Sequence, residues 1–397
     1  MTLVPIDLKQ DVSESIAQNF AGLYCGEVGL SSIQGGQTAG NQALANLDIT
    51  GYANARSEVL PVERRGATKL SPYIRHNIVT LEQVYQSVRH APFKDREKFR
   101  DELFWQEFAR HLYARVGLRL FKNMRFQADA ESLGNGWNRE MLCIDQVVTE
   151  LETDGWLVNQ TRMWLASHWT VRNKIGWKSG QERMHQHLLD GSRAANLLGW
   201  QWTVGSGTGK PYGFAKWQVD KRAPGLCTRC SLKNNCPIAE FPEEVPLEQL
   251  VRDDIFDHDP DTATTAGPRS VITYKQPQFV LLTIDSLGDA DAAMVAHPQL
   301  PVVFVFNQPA LKKLQLSSQR LGFYLQTLQD LHTRRHVLAY LGDPYQFARE
   351  HPVAVTYAPV PSFKNFTELA EIHPYPWLRQ PHSGSVRSFT SWRKALT

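Results

Sequence analysis

The pattern of apolar residues changes part-way along the chain, and this change most constrains the fold. Residues 96–116, 140–153 and 159–171 carry apolar positions at helical spacing, which predicts amphipathic helices. Short apolar runs at 279–284, 302–306 and 337–341 are instead typical of buried parallel strands, and residues 318–333 predict a helix between the last two. Strand–helix–strand alternation predicts an α/β layer, so a helical part is followed by an α/β part.

Length and composition indicate a globular protein of two domains. The chain has 397 residues, more than one core ordinarily supports. Its 42% hydrophobic and 21% charged residues are ordinary, and a net charge of +3 is too small to indicate nucleic-acid binding by itself. The sequence lacks a run of ~18 apolar residues and a signal-peptide pattern, so we expect a cytoplasmic protein that does not contact membranes.

Composition also suggests where the domains meet. Proline, aspartate and threonine become frequent between the two parts, as is typical of a linker. We expect a helical domain with a cysteine-containing loop over residues 1–240, a linker over 241–277 and an α/β domain over 278–350. Residues 351–397 have no clear period, and we assign no structure to this tail.

Cysteine usage points to a metal site. Five cysteines is an odd number, which argues against a disulfide framework. Cys227, Cys230 and Cys236 lie close together in a polar loop, and Cys143 or Cys25 is a candidate fourth ligand. Four thiolates suit zinc or an iron–sulfur cluster, and a proline after the last cysteine favours the cluster. Unliganded thiols in a polar loop remain the alternative.

Four sequence blocks carry a family resemblance. The blocks are residues 52–56 with 68–75, residues 102–110, residues 155–163 and residues 190–202, the last reading Asp-Gly-Ser-Arg-Ala-Ala-Asn-Leu-Leu-Gly-Trp-Gln-Trp. Together they resemble the flavin-binding domain of the photolyase/cryptochrome family, in the order and with spacings similar to those of that family. The resemblance covers about residues 52–217.

The resemblance implies FAD as a cofactor and assigns roles to individual residues. It implies FAD contacts for Tyr52, Thr68, Lys69, Leu70, Ser71, Phe99, Gln106, Arg110, Asn159, Arg162, Asp190, Ser192, Ala195 and Asn196. It implies that Trp200 and Trp177 re-reduce the flavin, and that Glu102, Trp105, Met163 and Trp202 contact a pyrimidine dimer.

The cysteines resemble one branch of this family, the iron–sulfur bacterial cryptochromes and photolyases. Cys143, Cys227, Cys230 and Cys236 match that branch's pattern, which implies a [4Fe–4S] cluster, with zinc as the alternative. The fold implied is an all-helical photolyase-type FAD-binding domain followed by a short Rossmann-like parallel-sheet domain. The family places its α/β domain first, so here either the order is permuted or a partial α/β domain is appended, and we expect no antenna chromophore in the sheet domain.

Departures from the family pattern leave the function open. Gln106 stands where photolyases usually have arginine, Ser192 where a second aspartate is common, and Arg172 where an acid is expected. The outermost relay tryptophan lacks a clear counterpart, with Phe126 or Trp137 nearest in sequence.

The implied activity is that of a deoxyribodipyrimidine photolyase: blue-light-driven repair of cyclobutane pyrimidine dimers, with UV-damaged DNA as partner. The first alternative is a cryptochrome-like photoreceptor or redox signalling protein with a protein partner. The second is a flavin-lacking structural or assembly factor.

Overall fold

The protein, analysed as a computed structural model, is described over residues 3–128, 130, 132–134, 136–243 and 246–396. Helices dominate its first 230 residues. These helices are α1 (Val12–Asn19), α2 (Gln37–Ala45), α3 (Tyr52–Ala55), α4 (Ser71–Arg75), α5 (Leu81–Ser87), α6 (Phe93–Val116), α7 (Leu142–Asp154), α8 (Asn159–Ser167), α9 (Trp177–His187), α10 (Arg193–Thr203), α11 (Lys216–Arg222) and α12 (Leu226–Arg229).

The later helices accompany the strands. They are α13 (Thr262–Ala266), α14 (Ala292–Ala296), α15 (Gln308–Leu314), α16 (Ser318–His332), α17 (Pro344–Glu350) and α18 (Phe389–Lys394). The strands are β1 (Val4–Ile6), β2 (Tyr24–Cys25), β3 (Phe279–Leu282), β4 (Val302–Asn307), β5 (Leu316–Ser317), β6 (Val337–Gly342), β7 (Val353–Thr356) and β8 (Ala370–His373). These elements confirm the predicted helical and α/β parts.

The main sheet has six strands in the order β1-β6-β4-β3-β7-β8. Strands β3, β4, β6, β7 and β8 are parallel, and β1 pairs antiparallel with β6. Numbered along the chain, the parallel strands follow the order 3-2-1-4-5 of a doubly wound sheet. The sheet is therefore Rossmann-like in topology.

Two parts of the sheet lie outside the predicted α/β boundaries of 278–350. Strand β1 comes from the extreme N-terminal region, which the prediction placed in the helical domain. Strands β7 and β8 and helix α18 lie in residues 351–397, to which no structure was assigned. Residues 351–397 therefore contain regular structure and complete the sheet. The sequence did not indicate this because short buried strands among prolines leave little periodic signal.

One apolar core joins the helical part to one face of the sheet. Its fully buried side chains include Trp200 of the helical part and Leu321 and Leu328 of α16. A second, smaller core on the opposite face includes Val303 and Val355. Among the described residues, we find no helix that is both long and apolar enough to cross a bilayer.

Candidate functional site

The start of helix α10 carries a fixed carboxylate. Ser192 caps this helix by accepting a hydrogen bond from the backbone N–H of Ala195, 3.4 Å away. Just before the cap, Asp190 accepts two hydrogen bonds from Arg162 of α8, at 3.1 and 2.7 Å. Burial alone would raise the pKa of Asp190, but Arg162 and the hydroxyl of Ser71 hold that pKa below its usual range. Asp190 is therefore an oriented, ionised acceptor.

Helix α10 presents an open surface of small residues beside this carboxylate. Ala195 is exposed, and a Cβ placed on Gly199 would meet no atom within 4 Å. The two residues are one turn apart and therefore share a helix face. Neighbouring Asn196 is buried, and its amide donates to the carbonyl and the side-chain oxygen of Gln181, at 2.9 and 3.1 Å. This face can accept a flat ligand close to the helix backbone.

The segment before α4 lies near the same carboxylate. Ser71 accepts a hydrogen bond from the indole of Trp156 at 3.0 Å and also interacts with Asp190. Leu70 is buried, whereas Thr68 is half-buried and Lys69 is exposed, with its ammonium 5.6 Å from the ring of Trp156. The implied phosphate-binding segment is thus tied to the α10 motif through Ser71.

Helix α6 contributes aromatic and charged side chains to the candidate site. Phe99 packs edge-to-face on Tyr52 with ring centroids 5.0 Å apart, and burial raises the pKa of Tyr52 above its usual range. Arg110 donates to the carbonyl of Ile74 at 2.9 Å. Gln106 is half-buried.

A partly exposed rim on α6 carries Glu102 and Trp105, two of the residues implied to contact a lesion. Glu102 on this rim pairs with Lys98 at 2.8 Å and lies 3.6 Å from Arg56. Trp105 and Trp202 are 36% and 41% exposed. On α8, the amide of exposed Asn159 is 3.7 Å from the sulfur of Met163.

Helix α18 covers part of this rim. Phe389 stacks on Trp105 with ring centroids 4.0 Å apart and an interplanar angle of 10°. Trp392, one turn further along, is fully buried, and its indole donates to His111 of α6 at 2.9 Å. One face of Trp105 is therefore occupied by the chain's own C-terminal segment.

Buried tryptophans lie behind α10. Gly180 of α9 marks their meeting point, because a Cβ there would lie 2.3 Å from Trp200 and 2.9 Å from Trp169. Trp169 in turn packs on Trp137 with ring centroids 5.0 Å apart. Trp177 is fully buried, with its indole nitrogen 3.4 Å from the Asn123 side chain. Sequence reasoning missed Trp169, whose only signal is its place in an apolar helical stretch.

Two buried residues, Arg320 of the α/β part and His76 at the end of α4, hold the loop that bears Asp190. Arg320 of α16 is 1% exposed and donates to the carbonyls of His185 and Gly191, at 2.6 and 2.7 Å. His76 contacts the carbonyl of Leu189 at 2.9 Å, with a second ring nitrogen on Ile284. Both residues position the flavin-type motif from outside it, and no motif in the sequence marks them.

Four cysteines surround one small cavity. Cys143, Cys227, Cys230 and Cys236 line it together with Met141 and Ile238. Burial and the neighbouring sulfurs raise the pKa of Cys143 to about 12. Cys25 lies elsewhere, in β2.

The sulfurs in this cavity are widely spaced. Four sulfurs around one zinc ion would lie about 3.8 Å apart, because Zn–S bonds are about 2.3 Å long. All four cysteines are described, and no three of them have sulfurs within 4.8 Å of one another. The arrangement is wider than a single zinc ion requires.

A larger cavity of about 410 Å³ adjoins the cysteine cavity and shares Met141 and Ile238 with it. Arg172, one of the departures from the family pattern, lines this cavity and donates to the carbonyls of Phe214 and Glu240. Arg172 therefore joins the segments on either side of the cysteine loop, and among the described residues it pairs with no carboxylate.

Comparison with known proteins finds similarity to photolyases in the helical part. A family described as the FAD binding domain of DNA photolyase matches residues 99–219. The deoxyribodipyrimidine photo-lyase of Vibrio cholerae is 30% identical over 167 residues, covering 38% of this chain and 35% of that protein. The enzyme of the same name from Thermus thermophilus is 29% identical over 178 residues, covering 43% and 42%. The chain thus spans less than half the length of these relatives.

Solved structures with partial similarity include two proteins of related name. A bacterial class III photolyase from Agrobacterium tumefaciens has 23% identity and a TM-score of 0.39, covering 47% of this chain and 40% of that one. A cryptochrome from Synechocystis has 20% identity and a TM-score of 0.43, covering 53% and 48%.

Proposed function

We propose that this protein binds FAD and carries out blue-light-driven electron transfer that repairs cyclobutane pyrimidine dimers in DNA. The observation that carries the proposal is the Arg162–Asp190 pair beside the open face formed by Ala195 and Gly199. An ionised acceptor beside a flat, unobstructed helix surface fits a planar heterocycle with N–H groups. The α/β part follows the helical part along the chain, so we also propose an order permuted relative to the family.

The residues present fit FAD in three places. Asp190 would accept hydrogen bonds from the ring system, and Ala195 would let it approach α10. Thr68 and Ser71 would face the phosphates with hydroxyl and backbone donors, and Arg110 would add positive charge. When bound, reduced FAD supplies an excited-state electron donor, which the side chains of this protein do not provide.

Trp200 and Trp177 would act as the electron donors that restore the reduced cofactor. Trp200 is 2% exposed and Trp177 is fully buried, so both indoles are shielded from water. Shielding favours electron transfer within the protein over loss of the electron to solvent species.

The lesion would be recognised outside the duplex, since photolyases act on bases flipped out of the stack. Trp105 and Trp202 would stack on the flipped bases, each base gaining about 1–3 kcal/mol. Glu102 would hydrogen-bond the bases after breaking its ion pair with Lys98. Because that pair is partly exposed, it contributes at most about 1 kcal/mol. Met163 of α8 would also contact the dimer.

The four clustered cysteines would hold a [4Fe–4S] cluster, with zinc as the alternative. The proline directly after Cys236 favours the cluster, because such a proline follows the last cysteine of ferredoxin-type runs. Cys143→Ser should remove the iron and its broad visible absorption, whereas Cys25→Ser should leave both unchanged. Equal iron content in the two variants would contradict this ligand set.

A cryptochrome-like photoreceptor or redox signalling protein is the second candidate, and one contact favours it. Phe389 covers one face of Trp105, so a lesion must compete with the protein's own side chain. A protein of this kind would bind FAD and respond to light without repairing DNA, and would pass the signal to a protein partner.

The decisive experiment compares two glycine variants of the full chain. Gly199→Leu would add a side chain to the open face, where a Cβ meets no atom within 4 Å, and leucine favours a helix more than glycine does. Gly207→Leu is the matched control, because a Cβ there would likewise meet no atom within 4 Å and the position lies outside α10. We expect wild type and the control to bind FAD, and Gly199→Leu to remain folded without binding it.

Absorption spectra under anaerobic conditions, before and after blue light, then follow photoreduction, and a dimer-containing oligonucleotide reports repair. Photoreduction with repair supports the photolyase, and photoreduction without repair supports the signalling protein. FAD binding by Gly199→Leu at wild-type affinity would refute the site. Failure of wild type to bind FAD at all would leave a structural or assembly factor.

A further inference from the structure

Two histidines and a glutamate form a largely buried cluster in the α/β part, which the proposed flavin chemistry does not use. Nε2 of His297 lies 2.5 Å from Oε1 of Glu371, and Nε2 of His373 lies 2.8 Å from the same oxygen. All three ligand atoms lie within 4.8 Å of one another. Sequence reasoning assigned no role to these residues.

Local structure directs the three side chains to one point. Glu371 and His373 are two residues apart on β8 and therefore project from the same face of the sheet. His297 immediately follows α14, whose start is fixed by Asp291, because its carboxylate accepts from the backbone N–H of Met294 at 2.8 Å. The cluster thus connects a helix end to the edge strand of the sheet.

A further hydrogen bond orients the carboxylate. The hydroxyl of Thr273 donates to Oε2 of Glu371 at 2.7 Å, which leaves Oε1 for the two histidines. Asp291, which is 4% exposed, also interacts electrostatically with His373. Outer groups that orient carboxylate and imidazole ligands in this way are a regular feature of metal sites.

Burial makes the charge of the cluster significant. The side chains of Glu371 and His373 are 7% and 3% exposed, and that of His297 is 20% exposed. Among the described residues, the ion-pair partners of Glu371 are these two histidines, and no lysine or arginine pairs with it. A buried carboxylate is costly unless a positive charge compensates it. A bound cation would supply that charge.

We propose that His297, Glu371 and His373 bind one divalent transition-metal ion of the zinc type. Two imidazole nitrogens and one carboxylate oxygen are the donors such ions prefer, and three protein ligands leave one position for water. Metal–ligand bonds of about 2.0–2.2 Å place neighbouring ligand atoms about 3.3 Å apart. The observed separations from Oε1 therefore need to open by less than about 1 Å.

The test must separate this site from the cysteine cavity, which can also take up zinc. Full-length wild type, His297→Gln and Thr273→Val are titrated with Zn²⁺ by calorimetry, and bound zinc is counted after gel filtration. His336→Gln is the matched control, because this exposed histidine lies in the same part of the protein outside the cluster. Because all four proteins keep the cysteines, the cysteine cavity contributes equally to each.

We expect His297→Gln to bind one zinc ion fewer per chain than wild type and His336→Gln to match wild type. Thr273→Val should keep the stoichiometry and bind that ion about 10–100-fold more weakly. If His297→Gln fails to fold, the Thr273→Val affinity decides the question, since that change leaves all three ligands in place. Equal zinc content and affinity in wild type and the folded cluster variants would overturn the proposal and leave a hydrogen-bonded cluster.

Discussion

We predict that Phe389→Ala strengthens binding of single-stranded DNA that carries a pyrimidine dimer. In wild type, the ring of Phe389 lies 4.0 Å from that of Trp105, nearly parallel to it. A stacked aromatic pair contributes about 0.5–1.5 kcal/mol beyond its buried area, and a base on an aromatic ring about 1–3 kcal/mol. Removing a competitor worth about 1 kcal/mol should tighten DNA binding about five-fold.

The same substitution should weaken the protein only moderately. Truncating a fully buried phenylalanine costs about 3–5 kcal/mol, but Phe389 is only half-buried, so we expect about 2 kcal/mol. Trp392 stays buried one turn away and should keep α18 docked on α6. Urea unfolding checks the stability, and acrylamide quenching of tryptophan fluorescence reports the greater exposure of Trp105.

Fluorescence anisotropy with labelled oligonucleotides, with and without a dimer, measures the affinity. Phe241→Ala is the control, because Phe241 is a 52% exposed ring that packs on Trp217 of α11, whereas Phe389 packs on Trp105. We expect the control to bind both oligonucleotides as wild type does. Unchanged affinity of Phe389→Ala together with increased quenching would refute the idea that Trp105 stacks on the lesion.

Three further predictions concern the interior. In urea unfolding, Arg320→Met should lower the free energy of unfolding by about 3–5 kcal/mol, because two buried carbonyls lose a charged donor. The control Arg349→Met, at an exposed arginine, should cost less than about 1 kcal/mol. Similar losses in the two variants would contradict a positioning role for Arg320. In FAD-loaded protein, Trp169→Phe should slow photoreduction and Trp164→Phe, whose indole stacks on a phenylalanine instead, should not; equal rates would exclude a Trp169 route. Burial lowers the pKa of His76 to about 3, so below about pH 6.5 the unfolded chain binds a proton that the folded chain does not. The free energy of unfolding should therefore fall by about 1.4 kcal/mol for each pH unit below about 6.5. In urea unfolding at about pH 5 and 7, His76→Gln should reduce this dependence on pH.

Residues of the candidate site were predictable from sequence only where they belong to a recognisable motif with the expected spacing. Asp190 and Arg162 belong to separate blocks of the resemblance, and the structure brings their side chains into a two-bond pair. Arg320 and His76 hold the same loop, yet both residues contact backbone carbonyls. A carbonyl is present at every position, so the identity of the partner leaves no trace in the sequence.

The sequence by itself determined the helical and α/β parts, the α10 motif and the clustering of three cysteines. Each of these features depends on residues that are close together in the chain. Periodicity, capping residues and motif spacing can therefore indicate it from the sequence. Helix α6 and strand β4 follow for the same reason, since their apolar patterns are continuous in the chain.

The tertiary structure alone decided which distant segments meet. Strand β1 joins β6, Phe389 covers Trp105, and His297 reaches Glu371 only after the sheet has formed. Such contacts join residues that are far apart in the chain, where closing the intervening loop has an entropy cost that only the assembled core offsets. A local sequence pattern does not show whether the core offsets this entropy cost, so these pairings are seen only in the folded protein.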